Sequence, residues 1–117
     1  MKAVILFGHG SRDPLWRQPI EAIAQRMRAH NDVAVACAYL EFDQPDLVTA
    51  ASGVIEQGAA EVVIVPVFLG TGKHAREDLP RLHAQLGEDF PGVAFTLKPA
   101  IGEDARVLDL IARIALE

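Results

Sequence analysis

Four short runs of aliphatic and β-branched residues, at positions 3–7, 33–40, 62–65 and 93–97, alternate with stretches whose apolar residues recur every three or four positions. A strand exposed on one face would alternate apolar and polar residues. These runs are apolar almost throughout, the pattern of strands covered on both faces. The intervening stretches carry Ile20, Ile23, Ala24 and Met27; then Leu47, Ala51, Val54 and Ile55; then Leu79, Leu82 and Leu86; and last Val107, Leu108, Ile111 and Ala115. Each set marks one face of an amphipathic helix. The order βαβαβαβα predicts an α/β fold: a four-stranded parallel sheet flanked by helices, with right-handed crossovers, forming one doubly wound domain over residues 1–117. Asp13-Pro14 and Gln44-Pro45-Asp46 read as helix entries with a first-turn proline, and Gly58 and Gly87 as the ends of helices two and three. Pro80 falls early in the third pattern, so residues 74–78 form either a separate turn or that helix's first turn.

Charge narrows the function classes. Sixteen acidic residues against eleven basic ones leave a net charge of −5 and no basic tract, which argues against a general nucleic-acid-binding protein. An anionic ligand would need a local cluster of cations. No apolar run approaches the ~20 residues of a membrane span, and Met1-Lys2 leads straight into a strand rather than a signal peptide; a cytoplasmic protein is expected. Cys37 stands alone inside a strand, where it reads as apolar filler.

In a parallel sheet the loops that leave the carboxyl ends of the strands share one rim. Two of them carry a histidine on glycine-bearing sequence: Leu6-Phe7-Gly8-His9-Gly10-Ser11-Arg12 after the first strand, and Phe68-Leu69-Gly70-Thr71-Gly72-Lys73-His74 after the third. Arg12 and the Ser11 hydroxyl, with amides at the start of the following helix, would favour an anion beside His9. The second loop adds Lys73 and Arg76. Strand two ends in Tyr39-Leu40-Glu41-Phe42, which puts the Glu41 carboxylate on the same rim. Two imidazoles and a carboxylate suit a mid-row divalent metal, and so few protein ligands leave coordination positions open. Trp16, Phe42, Phe68 and Leu69 add apolar surface to the rim, so a flat apolar ring bearing carboxylates matches its mixture of groups. His30 and His83, late in helix one and inside helix three, read as structural or surface residues. The glycine loop around Lys73 lacks the spacing and the Ser/Thr of a phosphate-binding loop. A histidine phosphatase would need an arginine where Gly8 stands.

Through its Leu6–Arg12 stretch, its Pro66-Val67-Phe68-Leu69 and Gly72-Lys73-His74 motifs and its Asp78-Leu79-Pro80, the chain resembles the small CbiX/SirB-type class II chelatases, over essentially its whole length. The resemblance implies a chelatase-like fold and an ATP-independent lyase that inserts Co²⁺ or Fe²⁺ into sirohydrochlorin, in cobalamin or siroheme biosynthesis. Ni²⁺ would also accept imidazole ligands. It implies that His9 and His74 handle the metal, with Glu41 as third participant, and that Ser11, Arg12, Lys73 and Arg76 bind the tetrapyrrole. The metal is substrate, no cofactor is tightly bound, and the short form pairs as a homodimer. A carrier that binds tetrapyrrole or metal without turnover is the alternative.

Overall fold

The computed structural model describes every residue except Asn31, and of His30 only its place in a helix. The expectation for the His30 side chain therefore lies outside the described residues. The element order is β1 (Lys2–Gly8), α1 (Gln18–His30), β2 (Ala34–Tyr39), α2 (Leu47–Glu56), β3 (Glu61–Pro66), α3 (Lys73–Asp89), β4 (Ala94–Leu97), a 3-10 turn (Ile101–Glu103) and α4 (Ala105–Leu116). All strand pairings are parallel, in the order β2-β1-β3-β4. The predicted four-stranded α/β sheet is the one found.

The order places β1 and β3 side by side at the centre, with Phe7 opposite Pro66. Their connections leave the sheet on opposite faces. Ala3, Ile5 and Phe7 of β1 and Val62 and Ile64 of β3 pack with Leu47, Ala51 and Val54 of α2 and Leu79 and Leu86 of α3. On the other face Leu6 and Tyr39 meet Ile20 and Ala24 of α1. Burying Leu6, Ile20 and Tyr39 there, at roughly 1.5–3 kcal/mol each, fixes the strand ends from which the functional loops depart.

Several local expectations change. Helix α1 begins at Gln18, after a turn over residues 14–17, so Pro14 is outside it and Pro19 takes the first-turn position. Pro45 precedes the N-cap of α2, where the Asp46 carboxylate accepts the Thr49 amide at 2.9 Å. Gly58 does close α2, with φ at +109°. Gly87, by contrast, is inside α3, which runs on to Asp89. Nothing after Gly87 breaks the helix until Pro91, whose ring restricts Phe90. Residues 74–78 are no separate turn: α3 starts at Lys73 and carries Pro80 within it.

The largest departure is α4. Its apolar stripe exists, but none of its residues is buried, and Leu108, Leu110, Ile111 and Ile114 lie between 43% and 58% exposed. Its neighbours are chiefly the 3-10 turn that leads into it. On the α1 face of the sheet, Ala94 and Thr96 of β4 are correspondingly exposed. Apolar strands therefore overstated how fully this chain alone covers that face.

Candidate metal-handling site

The rim at the carboxyl ends of β1 and β2 is built by extending their pairing past the strands. Leu40 donates its amide to the Gly8 carbonyl at 3.0 Å and Glu41 to that of His9 at 3.1 Å. This continuation brings the Glu41 backbone so close to Gly10 that a Cβ there would stand 1.7 Å from the Glu41 oxygen, and Gly10 has φ +96°. Only glycine meets both conditions. The result is a direct pairing of side chains: His9 Nε2 lies 3.2 Å from Glu41 Oε1, with both groups about half exposed.

Three consecutive residues of the β2–α2 loop each engage the β1 loop. Glu41 meets His9. Phe42 lies under Arg12, whose guanidinium carbon is 4.8 Å from the ring centre. Asp43 accepts the Ser11 amide at 2.9 Å and faces Arg17 Nη1 at 3.6 Å. The Asp43 amide itself returns to the Glu41 carbonyl at 2.8 Å, a γ-turn centred on Phe42 with φ +68°. Asp43 and Arg17 went unrecognised in the sequence. The signal available was the second carboxylate two residues beyond Glu41.

This brace corrects the expected anion site beside His9. Helix α1 starts too late to offer its amides to the loop, the Ser11 amide is taken by Asp43, and the Ser11 hydroxyl accepts the Asp13 amide at 3.0 Å. Arg12 is the loop's remaining anion-seeking group.

His74 is placed differently. It lies in the first turn of α3, exposed, and among the described residues no hydrogen bond or ion pair holds its ring. No three His, Cys, Asp or Glu side chains of the described residues converge on a metal position. The structure thus brings His9 and Glu41 together and leaves His74 apart from them. Phe68 is no exposed rim residue: it is 8% exposed, packed on Phe7 with ring centres 6.3 Å apart, and edge-on to His9 at 6.1 Å. Leu69 and Phe42 are exposed as expected. Trp16 is partly so, resting edge-on against Tyr39. Arg76 donates to the Thr71 carbonyl at 2.8 Å and lines a cavity of about 290 Å³ that it shares with Lys98 and Glu103. Lys73 is exposed. A cleft of about 320 Å³ between α2 and α3, lined by Phe7, Leu40, Asp46, Asp78 and Arg81, includes neither histidine. His83 is structural: its Nε2 lies 2.9 Å from the Phe95 carbonyl and ties α3 to β4.

Fold and rim together define an α/β protein of the chelatase-like class. The CbiX family model matches residues 3–117, and the chain belongs to that family. Among relatives, the sirohydrochlorin cobaltochelatase of Methanocaldococcus jannaschii is 37% identical over 83 residues, covering 70% of this chain and 58% of that protein. The match thus spans little over half of that relative's length. The crystal structure of the CbiX protein from Marinobacter aquaeolei VT8 superposes with a TM-score of 0.86 at 30% identity, covering 98% of this chain and 94% of that one. The sirohydrochlorin chelatase SirB of Bacillus subtilis subspecies spizizenii, solved in complex with cobalt, gives a TM-score of 0.80 at 28% identity, covering 96% of this chain and 48% of SirB. No helix among the described residues is long and apolar enough to cross a membrane.

Proposed function

We propose that this chain is a cytoplasmic sirohydrochlorin chelatase that inserts Co²⁺ or Fe²⁺ into the tetrapyrrole, its residues 1–117 acting as one domain, with the metal as substrate and no nucleotide. The observation that carries the reading is the His9–Glu41 pair. Metal–nitrogen and metal–oxygen bonds to first-row ions run near 2.1 Å. Two ligands at right angles on one ion then stand about 3 Å apart, close to the 3.2 Å between Nε2 and Oε1. One ion can sit against both atoms with little movement of either side chain. His74, across the rim, would complete its grip.

Two protein ligands, or three, leave coordination sites for pyrrole nitrogens. As the ion passes to the macrocycle, Glu41 loses its metal partner and regains a free lone pair that accepts one of the departing N–H protons, so the same carboxylate serves as ligand and then as base. Arg12, Lys73 and Arg76 orient the peripheral carboxylates, with Ser11 serving the loop's brace instead. Acid suppresses the reaction because an imidazolium has no lone pair for a metal.

The chain acts as a homodimer in this reading. The uncovered stripe of α4 supports it, since Leu108, Leu110, Ile111 and Ile114 form the kind of apolar surface that a second copy covers. Pairing would also enclose an open rim. The test is anaerobic absorbance of sirohydrochlorin with Co²⁺, Fe²⁺ or Ni²⁺, comparing the native chain with folded His9→Ala and His74→Ala. Multiple turnovers lost in both variants are expected. Tight tetrapyrrole binding with no acceleration over the protein-free rate would make the protein a carrier instead.

A further inference from the structure

We propose that Phe42 is a positioning residue for the tetrapyrrole: its ring holds the Arg12 guanidinium as a preset clamp for one peripheral carboxylate. This rests on the substrate class proposed above. Phe42 has φ +68°, the left-handed region that bulky residues avoid, and is the one non-glycine residue so placed among the described residues. Burial does not account for the strain, because the side chain is 56% exposed. Strained backbone of this kind persists where a position serves a function. What the position achieves is the stack with Arg12 at 4.8 Å.

Stacking occupies the flat face of a guanidinium and leaves its edge N–H groups free, the arrangement that takes a carboxylate through two parallel hydrogen bonds. Arg17 pairs with Glu21 and Asp43, Arg81 with Asp78 and Arg106 with Asp104. Arg12 shares with Arg26, Arg28, Arg76 and Arg113 the lack of a carboxylate partner among the described residues, and of these five it alone belongs to the loop that carries His9. Arg12 is three residues past His9 and Phe42 one past Glu41, so the clamp and the imidazole–carboxylate pair share the same two loops. An anion held there would be fixed relative to the metal pair. Preorganisation of this sort spares the ordering of a long side chain on binding.

The experiment is equilibrium binding of metal-free sirohydrochlorin, read anaerobically without turnover, to the native chain, Phe42→Tyr, Phe42→Leu, Phe42→Asn, Arg12→Ala and Arg12→Ala/Phe42→Leu. Phe42→Leu is expected to weaken binding roughly three- to tenfold, and Phe42→Tyr to restore it. In the Arg12→Ala background Phe42→Leu should add nothing, because the ring acts through the guanidinium. Phe42→Asn, which suits the left-handed backbone, should bind as weakly as Phe42→Leu while its Tm is unchanged or raised; a merely structural phenylalanine would lower the Tm. Native-like binding by Phe42→Leu, or full additivity with Arg12→Ala, overturns the clamp. A native chain that binds but never inserts metal overturns the chelatase reading alone, and one that does not bind overturns both.

Discussion

The two histidine loops occupy equivalent places in the fold and are built in opposite ways. After β1, His9 is fixed by two backbone hydrogen bonds to β2's extension, by a carboxylate under the Ser11 amide, by Phe68 at its edge and by a glycine that fits against the Glu41 carbonyl. After β3, bracing stops early. Gly102 is pressed to the Leu69 backbone and donates to the Phe68 carbonyl at 2.9 Å, but a Cβ on Gly70 or Gly72 would meet nothing within 4 Å. The difference teaches that the His9 loop is preformed and the His74 loop is not. In the proposed reading His9 and Glu41 would then be the fixed half of a metal grip, with the other half left to be set by metal, tetrapyrrole or a second copy.

The largest effect that could break this contrast comes from Gly10→Ala. The new Cβ would overlap the Glu41 carbonyl at 1.7 Å, on a backbone with φ +96°. Either the β1 loop or the Glu41 segment must then move, and the His9–Glu41 pair goes with it. A loss of about 3 kcal/mol or more in urea unfolding is expected, with loss of metal binding. A Gly10→Ala chain as stable as the native one would show that the brace is not rigid.

Metal affinity measures the asymmetry more directly. Because His9 is already opposed to Glu41, His9→Ala should weaken Co²⁺ binding by about 10–100-fold in calorimetric titration, and His74→Ala by distinctly less. Equal losses would mean that the two imidazoles meet on the ion in one step and that the apparent preformation is idle.

Next in size is Asp43→Ala, which leaves the Ser11 amide without its acceptor in a place where the carboxylate is only 11% exposed. An unsatisfied, poorly hydrated donor costs about 1–3 kcal/mol, and Asp43→Asn, which keeps an oxygen for the amide, should lose less than half of that. Turnover should follow the same order. If Asp43→Asn proved as damaging as Asp43→Ala, the charge facing Arg17 would matter more than the hydrogen bond to the loop.

How much of this was legible follows from the range of the interactions. Runs such as 62–65 declare buried strands because burial on both faces removes polar residues locally, and the helical stripes of α1 to α3 are likewise short-range. Helix ends depended on what lay beyond: Gly87 looked like a stop, yet α3 continues because a glycine weakens a helix without ending it. The stripe of α4 showed an apolar face and could not show whether this chain covers it. His9, Glu41 and Arg12 were recognisable by residue type and rim position. The brace was not, since Ser11 and Asp43 are 32 residues apart and the positive φ of Phe42 contradicts its own preference. Long-range pairings that override local propensity leave little trace in local pattern.

Under the braced side lies a phenol that supplies a pH test. Burial pushes Tyr39 from 10.0 up to about 12. The folded chain keeps this proton to higher pH than the unfolded one, so the associated stability is whole below pH 10 and is lost as pH rises towards 12. Tyr39→Phe should therefore flatten the alkaline fall in Tm over that window. Cys37, also pushed up by burial, titrates in the same direction and stays unchanged in both proteins compared. An unaltered alkaline limb would mean that Tyr39 is not what links the β2 end to pH.

Gly70→Ala carries the smallest stability change and the sharpest meaning. Its Cβ would enter open space and its φ is not left-handed, so stability should shift by no more than about 0.5 kcal/mol. Turnover is the informative readout. If the His74 loop closes on the metal only when tetrapyrrole or a second copy arrives, a methyl group that is neutral in the free chain can still hinder closure, and turnover falls while the urea midpoint stays put. If turnover and midpoint are both unchanged, the loop needs no adjustment at this position, and the division into a fixed and a completing half would have to rest on His74 alone.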